Sequence, residues 1–203
     1  MQNSVKRSIC LFLCFIMTFA LGGCAGNAAM TEKNITKTVE KVEAALKSFD
    51  REMLEKYVSS QTLRYILGFS RSKTQFAELG AAMFEKLEME ITAIDTDAKT
   101  VTLSVRNRDM RQIASDFTQK LTGEYSGMDL LAKLNDNSFL DASLAELKSE
   151  IAEATVPDNP TEITLSIEVK DKHLVLVFDS AAEDAVSGGA LTAITDAITD
   201  SIS

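Results

Sequence analysis

Tryptophan is missing from this 203-residue chain, and histidine, proline and cysteine are scarce at one, two and three residues. Each scarcity closes off some chemistry. Zinc, copper and iron sites are assembled from clusters of histidine, cysteine and carboxylate. A lone His173, with cysteines only at positions 10, 14 and 24, all close to the N-terminus, argues against one. His173 follows a turn and begins a strand beside Lys172, which predicts an exposed or half-packed side chain. General acid–base work would also need a positioned partner for it. No Gly-x-Ser-x-Gly elbow occurs. Gly188-Gly189 has neither a strand before it nor Lys-Ser/Thr after it, so it reads as a helix break rather than a phosphate cradle. Asp95-Thr96-Asp97, and Asp129 with Asn135-Asp136-Asn137, lack the full ligand set of a calcium loop and read as turn formers. No catalytic residue, metal or cofactor is assigned, and a non-enzymatic domain is expected. Positive charge is in deficit too: 21 Lys and Arg against 30 Asp and Glu leave a net charge of −9. That balance argues against nucleic acid and against electrostatic adhesion to anionic lipid, and its plain meaning is solubility.

What the chain does have is a marked N-terminus. Met1 to Arg7 is polar and ends in Lys6-Arg7, and an apolar run follows from Ile9 to Leu21. A basic start, a short apolar run and a small-residue site form the plan of a secretory signal. Thirteen helical residues span roughly 20 Å against a hydrocarbon core of about 30 Å, so a permanent membrane span is the weaker reading. The run ends in Leu21-Gly22-Gly23-Cys24, which resembles the lipobox of bacterial lipoproteins. The resemblance implies a diacylglycerol on the Cys24 thiol and cleavage just before it. Residues 1–23 are then a signal peptide and 24–30 a tether. Two acyl chains meet the requirement for stable anchoring. Removing residues 1–23, which carry Lys6 and Arg7 and no acid, would take the net charge to −11. No thiol would remain for disulfides or catalysis, and a domain of this size must hold together through its own core. The six residues after Cys24, Ala25 to Met30, reach at most about 20 Å, which keeps the domain at the membrane surface.

Helical spacing starts at Thr31 with Ile35, Val39, Val42, Leu46 and Phe49. Asp50 and Ser60 are placed to cap two short helices, the second stopped by Gly68, and a further helix is expected over 72–87. The period then becomes two. Met89, Ile91 and Ala93, then Val101, Leu103 and Val105, alternate with polar residues around Asp95-Thr96-Asp97-Ala98, which predicts a hairpin. Helices return over about 109–155, broken near Gly123–Gly127 and Asn135–Ser138, with Met110, Met128, Leu140, Leu144 and Ile151 on apolar stripes. Pro157 and Pro160 end this region. A second hairpin is expected from Ile163 to Phe178 with its turn at Asp171-Lys172, and its last strand, apolar on both faces, predicts a central or covered place in the sheet. Ser180-Ala181-Ala182-Glu183 has the form of a capping box opening the C-terminal helix. The fold expected is α+β in one domain over 31–203: an antiparallel sheet of two hairpins packed against N-terminal helices, a helical insertion and a C-terminal helix. For the insertion, an extra layer on the sheet is expected, with a lid over a pocket as the sharper alternative.

Val42-Glu43-Ala44-Ala45-Leu46-Lys47-Ser48-Phe49-Asp50, Val101 to Met110 and Ser187-Gly188-Gly189-Ala190, together with the lipobox, resemble small Gram-positive lipoproteins of unknown function. The resemblance implies a nuclear-transport-factor-2-like, or cystatin-like, α+β cone. Such folds host enzymes, ligand pockets and interaction domains alike. The function expected is therefore a lipid-anchored extracytoplasmic binding module, touching the membrane through Cys24 and meeting a cell-surface protein or an apolar small ligand. The rival expectation is a pocketed carrier or enzyme, with a cavity converging on Glu90, Arg106 or His173. Dimerisation through an exposed sheet face is a third.

Overall fold

Ile35, Val39, Val42 and Leu46 recur at three- and four-residue steps, and all four are buried along helix α1 (Glu32–Ser48). Each such side chain contributes roughly 1.5–3 kcal/mol relative to exposure. The structure is a computed structural model and describes residues 29–71, 73–133 and 135–201. Thr31 caps α1 by accepting the Asn34 N–H at 3.3 Å, and Asp50 caps α2 (Arg51–Tyr57) through the Met53 N–H at 3.1 Å. Between them Phe49 closes α1 in the left-handed region, φ 49°. Its ring stacks on Phe84 at 6.5 Å, and Gly80 leaves the space that ring occupies, since a Cβ there would lie 2.2 Å from it.

A two-residue strand β1 (Val58–Ser59) leads into α3 (Gln61–Ser70) and α4 (Thr74–Phe84). Ser60 accepts the Leu63 N–H at 2.9 Å as expected of a cap, but α3 runs on through Gly68 to Ser70 and α4 starts at Thr74. One glycine lowers helix propensity by only about 1 kcal/mol and does not stop a helix whose apolar face is buried. The first hairpin is β2 (Glu88–Asp95) with β3 (Thr100–Arg106), and the second is β4 (Thr161–Lys170) with β5 (His173–Val177). The sheet is mixed, in the order β1-β5-β4-β3-β2, with β1 parallel to β5 and every other pair antiparallel. The expected doubly flanked place of β5 is what the order gives; the parallel partner β1 is too short for a periodicity to reveal. A register shift between Ile91 and Ala93 reverses the side-chain phase. Ala93 is therefore exposed, against expectation, and Ile94 packs on the core in its place.

Met89, Val101, Leu103, Val105, Ile163, Leu165, Ile167, Leu174 and Leu176 form one buried sheet face. It lies under α1 and α8 (Ser180–Val186). The insertion comprises α5 (Arg111–Glu124), α6 (Gly127–Lys133) and α7 (Asn137–Glu153). It does not form a layer on the sheet: α7 packs on α4, and α5 packs on the C-terminal helix α9 (Ala190–Ser201). Met110, Leu140, Leu144, Leu147, Ile151 and Ala190 make a second core there, with Phe76, Leu79 and Met83 of α4 packed against it. The reason is that α4 is apolar on two sides and serves both cores. Met128 is 78% exposed rather than buried, because α6 is a short helix at the rim.

The capping box at Ser180 does not form. Asp179 caps α8 through the Ala182 N–H at 2.9 Å. Glu183 reaches across the fold instead, where its carboxylate accepts from the Ser60 hydroxyl and from the Thr62 N–H at 3.4 Å. It so ties α8 to the start of α3. Glu183→Ala should cost about 1–2 kcal/mol by removing that cross-cap. For a domain of this size the melting temperature should fall by roughly 2–8 °C.

Candidate functional site

Among the described residues several concavities are open to a ligand, and three of them differ in what their polar groups already do. The largest, about 550 Å³, lies between the end of β3, residues 157–161, α8 and Gly188-Gly189. It holds three arginines, and all are engaged. Arg106 bonds Glu88 across the hairpin through Nε at 3.0 Å, Arg108 bonds Glu85 at 3.0 Å, and Arg111 bonds Asp109 through Nε at 2.9 Å. These guanidinium hydrogen bonds hold the carboxyls of Glu88, Glu85 and Asp109 below their ordinary values. The floor is structural. Asn107 and Arg108 are only 4% and 5% exposed. The Asn107 amide donates to the carbonyls of Met83 (3.1 Å) and Val186 (2.8 Å), and Arg108 donates to the carbonyl of Ala82 (3.2 Å). Helix C-termini leave their last carbonyls without intrahelical partners. Two adjacent residues after β3 thus close the ends of α4 and α8.

A second concavity, about 140 Å³ and almost wholly apolar, opens between α3, α4, α8 and α9 at Leu63, Ile66, Leu191 and Ile194. Ile66 and Ile194 are more than a third exposed at its mouth.

The third is a groove of about 430 Å³ between α2, α3 and the β4–β5 ladder. Val58, Leu63, Leu67 and Val175 are buried along its floor, and Lys56, Arg64, Arg71, Glu55, Glu168 and Lys170 stand at its rim. Arg71 and Glu55 pair at 2.6 Å, whereas among the described residues Lys56, Lys170 and Glu168 form no ion pair. Beside it a cationic cluster surrounds Tyr57. Lys41 on α1 donates to the Tyr57 hydroxyl at 3.3 Å and lies 4.9 Å from the ring centroid. Lys56 lies 5.4 Å from the same centroid. The His173 ring meets Tyr57 edge-on at 5.4 Å, and His173 pairs with Lys170 across the ladder. Desolvation, then the charges of Lys56 and Lys41, lower the His173 pKa, and Asp171 opposes them.

None of the family models, curated proteins or solved structures compared with the chain matches it.

Leu21, Gly22, Gly23 and Cys24 lie outside the described residues. Glu90 lies near Arg106, two residues along β2 from its partner Glu88, and Arg106 lines the largest of the three concavities, whereas His173 is far from Arg106. Arg106 stands beyond the Val105–Thr161 pair and His173 opposite Lys170. That separates them by about 30 Å at roughly 3.3 Å per residue. Asp95 caps its own turn by accepting the Asp97 and Ala98 N–H groups at 3.0 and 2.8 Å, and Asp136 caps α7, so both acidic stretches are turn and cap devices. Among the described residues no group of three His, Cys, Asp or Glu side chains could hold a metal ion. Neither Asn107 nor the Tyr57 cluster carries a periodic signal. Lys41 and Tyr57 are sixteen residues apart on different helices, and only the turn at Phe49-Asp50 brings them together.

Acidification should remove stability through groups of one sign. His173, Glu85, Glu88 and Asp109 all have folded pKa values below their ordinary ones. The unfolded chain therefore binds more protons in each titration window, and stability rises with pH there. The melting temperature should begin to fall as pH drops below 6.5 through His173, and fall further below 4.5 and 3.8 through the carboxylates. In His173→Gln the first part of that decline should vanish while the second remains.

Proposed function

We propose that this chain is a lipid-anchored extracytoplasmic binding module, held at the membrane by a diacylglycerol on Cys24 and offering the groove beside Tyr57 to its ligand. The observation that carries the binding role is the make-up of that groove, a buried apolar floor with a charged rim whose Lys56, Lys170 and Glu168 form no ion pair among the described residues. Recognition sites combine this kind of apolar surface with a few polar groups that fix orientation. The Leu21-Gly22-Gly23-Cys24 sequence supports the anchor. Kinship with cystatin-like lipoprotein domains belongs to the same proposal, and the long helix α1 laid on one face of a bulged sheet supports it. Phase partitioning of the protein made in a lipoprotein-processing bacterium tests the anchor. Wild type should follow the detergent phase and Cys24→Ala should lose the lipid-dependent share. Equal partitioning of the two would overturn it.

The apolar notch at Leu191 favours a second reading, carriage of a small apolar ligand. Its 140 Å³ is close to the ~150 Å³ of an engineered cavity that takes up benzene. Saturable binding of benzene or a similarly small apolar ligand, blocked by Leu191→Trp, would support this carrier over the groove reading. Binding unaffected by that substitution would discard it.

A further inference from the structure

The cluster around Tyr57 stands out by its charge. In a chain of net charge −9, three elements deliver Lys41, Lys56 and His173 to one aromatic ring. Among the described residues no carboxylate forms an ion pair with these cations, unlike other cations of this protein. Lys47, Lys120 and Lys148 each have a carboxylate partner between 2.6 and 2.8 Å. Among the described residues Lys41 and Lys56 form no such pair; Lys41 donates to a phenol instead. Cations over a ring face are attracted by its quadrupole, yet that attraction, about 0.5–1 kcal/mol at exposed sites, leaves their charge and most of their hydrogens free. The turn Asp171-Lys172 has two residues in the left-handed region, φ 49° and 63°, and sets His173 and Lys170 opposite one another at the start of the ladder. The groups facing His173 are thus Lys41 from α1, Lys56 from α2, Lys170 from β4, and Lys172 and Asp171 from the turn; Asp171 is the acid among them.

We propose that Lys41, Lys56 and His173, gathered around the Tyr57 ring, hold a phosphate-bearing anion at the end of the α2–α3–β5 groove. Ammonium groups act on phosphate as point charges and need no fixed fork, so two lysines on different helices can converge on one group. His173 adds a third positive charge when protonated, and a bound anion favours that form. The inference names the ligand class of the groove and so rests on reading that groove as a binding site. The phosphate can come from a soluble molecule or from a lipid headgroup at the membrane, and the chemistry is the same.

His173 is the only histidine in the chain, so a carbon-13 histidine label gives one imidazole signal to follow. The full chain in non-ionic detergent micelles is titrated with inorganic phosphate against chloride at matched ionic strength, because salt alone screens the lysines and raises the His173 pKa. Phosphate should shift the signal saturably and raise the pKa beyond the chloride control. The double variant Lys41→Gln/Lys56→Gln should bind roughly tenfold or more weakly, whereas Lys148→Gln should bind like wild type. A second arm dopes the micelles with phosphatidylglycerol. A lysine-dependent response there without one to free phosphate assigns the anion to a lipid headgroup. A response to free phosphate assigns it to a soluble ligand. If neither arm exceeds its control, or if the double variant responds like wild type, the anion site is overturned. Phase partitioning through Cys24 is read separately, so the anchored module can stand where the anion site falls.

Discussion

Asn107→Leu is expected to lower the unfolding free energy by about 3–5 kcal/mol, although leucine keeps the γ-branched shape of asparagine and is apolar in a buried place. The cost arises from what is left behind. In the native chain the Asn107 amide satisfies the carbonyls of Met83 and Val186, and its oxygen accepts the Arg108 N–H at 2.8 Å. Leucine would strand two helix-end carbonyls and one N–H in a buried setting, and each unsatisfied group costs about 1–3 kcal/mol. Denaturant unfolding measures this as a lower midpoint at unchanged slope. Asn107→Asp gives a sharper version. Its carboxylate would face two carbonyl oxygens, which raises its folded pKa above the unfolded one. Relative to wild type, the variant should be least destabilised below the ordinary aspartate range and more so as pH rises through its raised pKa, a trend opposite to the wild-type acid limb. A variant as stable as wild type at neutral pH would show that Asn107 does not close α4 and α8.

Gly188→Ala is the second large effect, again about 3–5 kcal/mol, and Gly189→Ala is its control. α8 ends in a Schellman arrangement: the Gly188 N–H donates to the Ala185 carbonyl at 3.2 Å and the Gly189 N–H to that of Asp184 at 2.9 Å. With the Ser187 N–H on Glu183 and Asn107 on Val186, all four terminal carbonyls of α8 are partnered. Both glycines have positive φ, 65° and 84°, so alanine at either costs about 1–2 kcal/mol in backbone strain. They differ in what a Cβ meets. At Gly188 it would lie 1.9 Å from the Arg108 carbonyl oxygen, in the segment that the Met110 N–H ties to the Gly188 carbonyl at 2.9 Å. That backbone can yield only by breaking the junction. At Gly189 the neighbour is the Arg111 side chain at 2.4 Å, which can swing away. Gly189→Ala should therefore cost about 1–2 kcal/mol. Equal losses at the two positions would contradict this account of the junction.

How much was legible beforehand follows from which signals are local. The apolar stripe of α1, the caps at Asp50 and Ser60, both hairpins and the turn at Asp171-Lys172 all come from spacing or short-range chemistry, and all appear where expected. The α+β class came with them. What failed depended on contacts between distant segments. The bulge at Ile91–Ala93 changes phase without changing composition. Glu183 has the spacing of a local capping residue, yet Ser60, 123 residues away, takes its carboxylate. The apolar stripes of the insertion suggest a place on the sheet, but periodicity does not say which surface a stripe covers, and α4 provides it. The Tyr57 cluster is of the same kind: no window of the sequence contains Lys41, Tyr57 and His173 together.

The two junction residues and the groove bear on function through different links. Asn107 and Gly188 fix α4 and α8 to the end of β3 and so set the frame, whereas Lys41, Lys56 and His173 lie on a face that the fold leaves open. Substitutions of the first kind should change stability, and those of the second should change binding with little change in melting temperature.

The anchored binding module rests on Cys24, and one mass spectrum of the purified protein from a lipoprotein-processing bacterium addresses that most directly. The expected mass is that of a chain beginning at Cys24, with residues 1–23 lost and a diacylglyceryl adduct on the Cys24 thiol. An intact N-terminus, or a cleaved chain with a free Cys24 thiol, would contradict it.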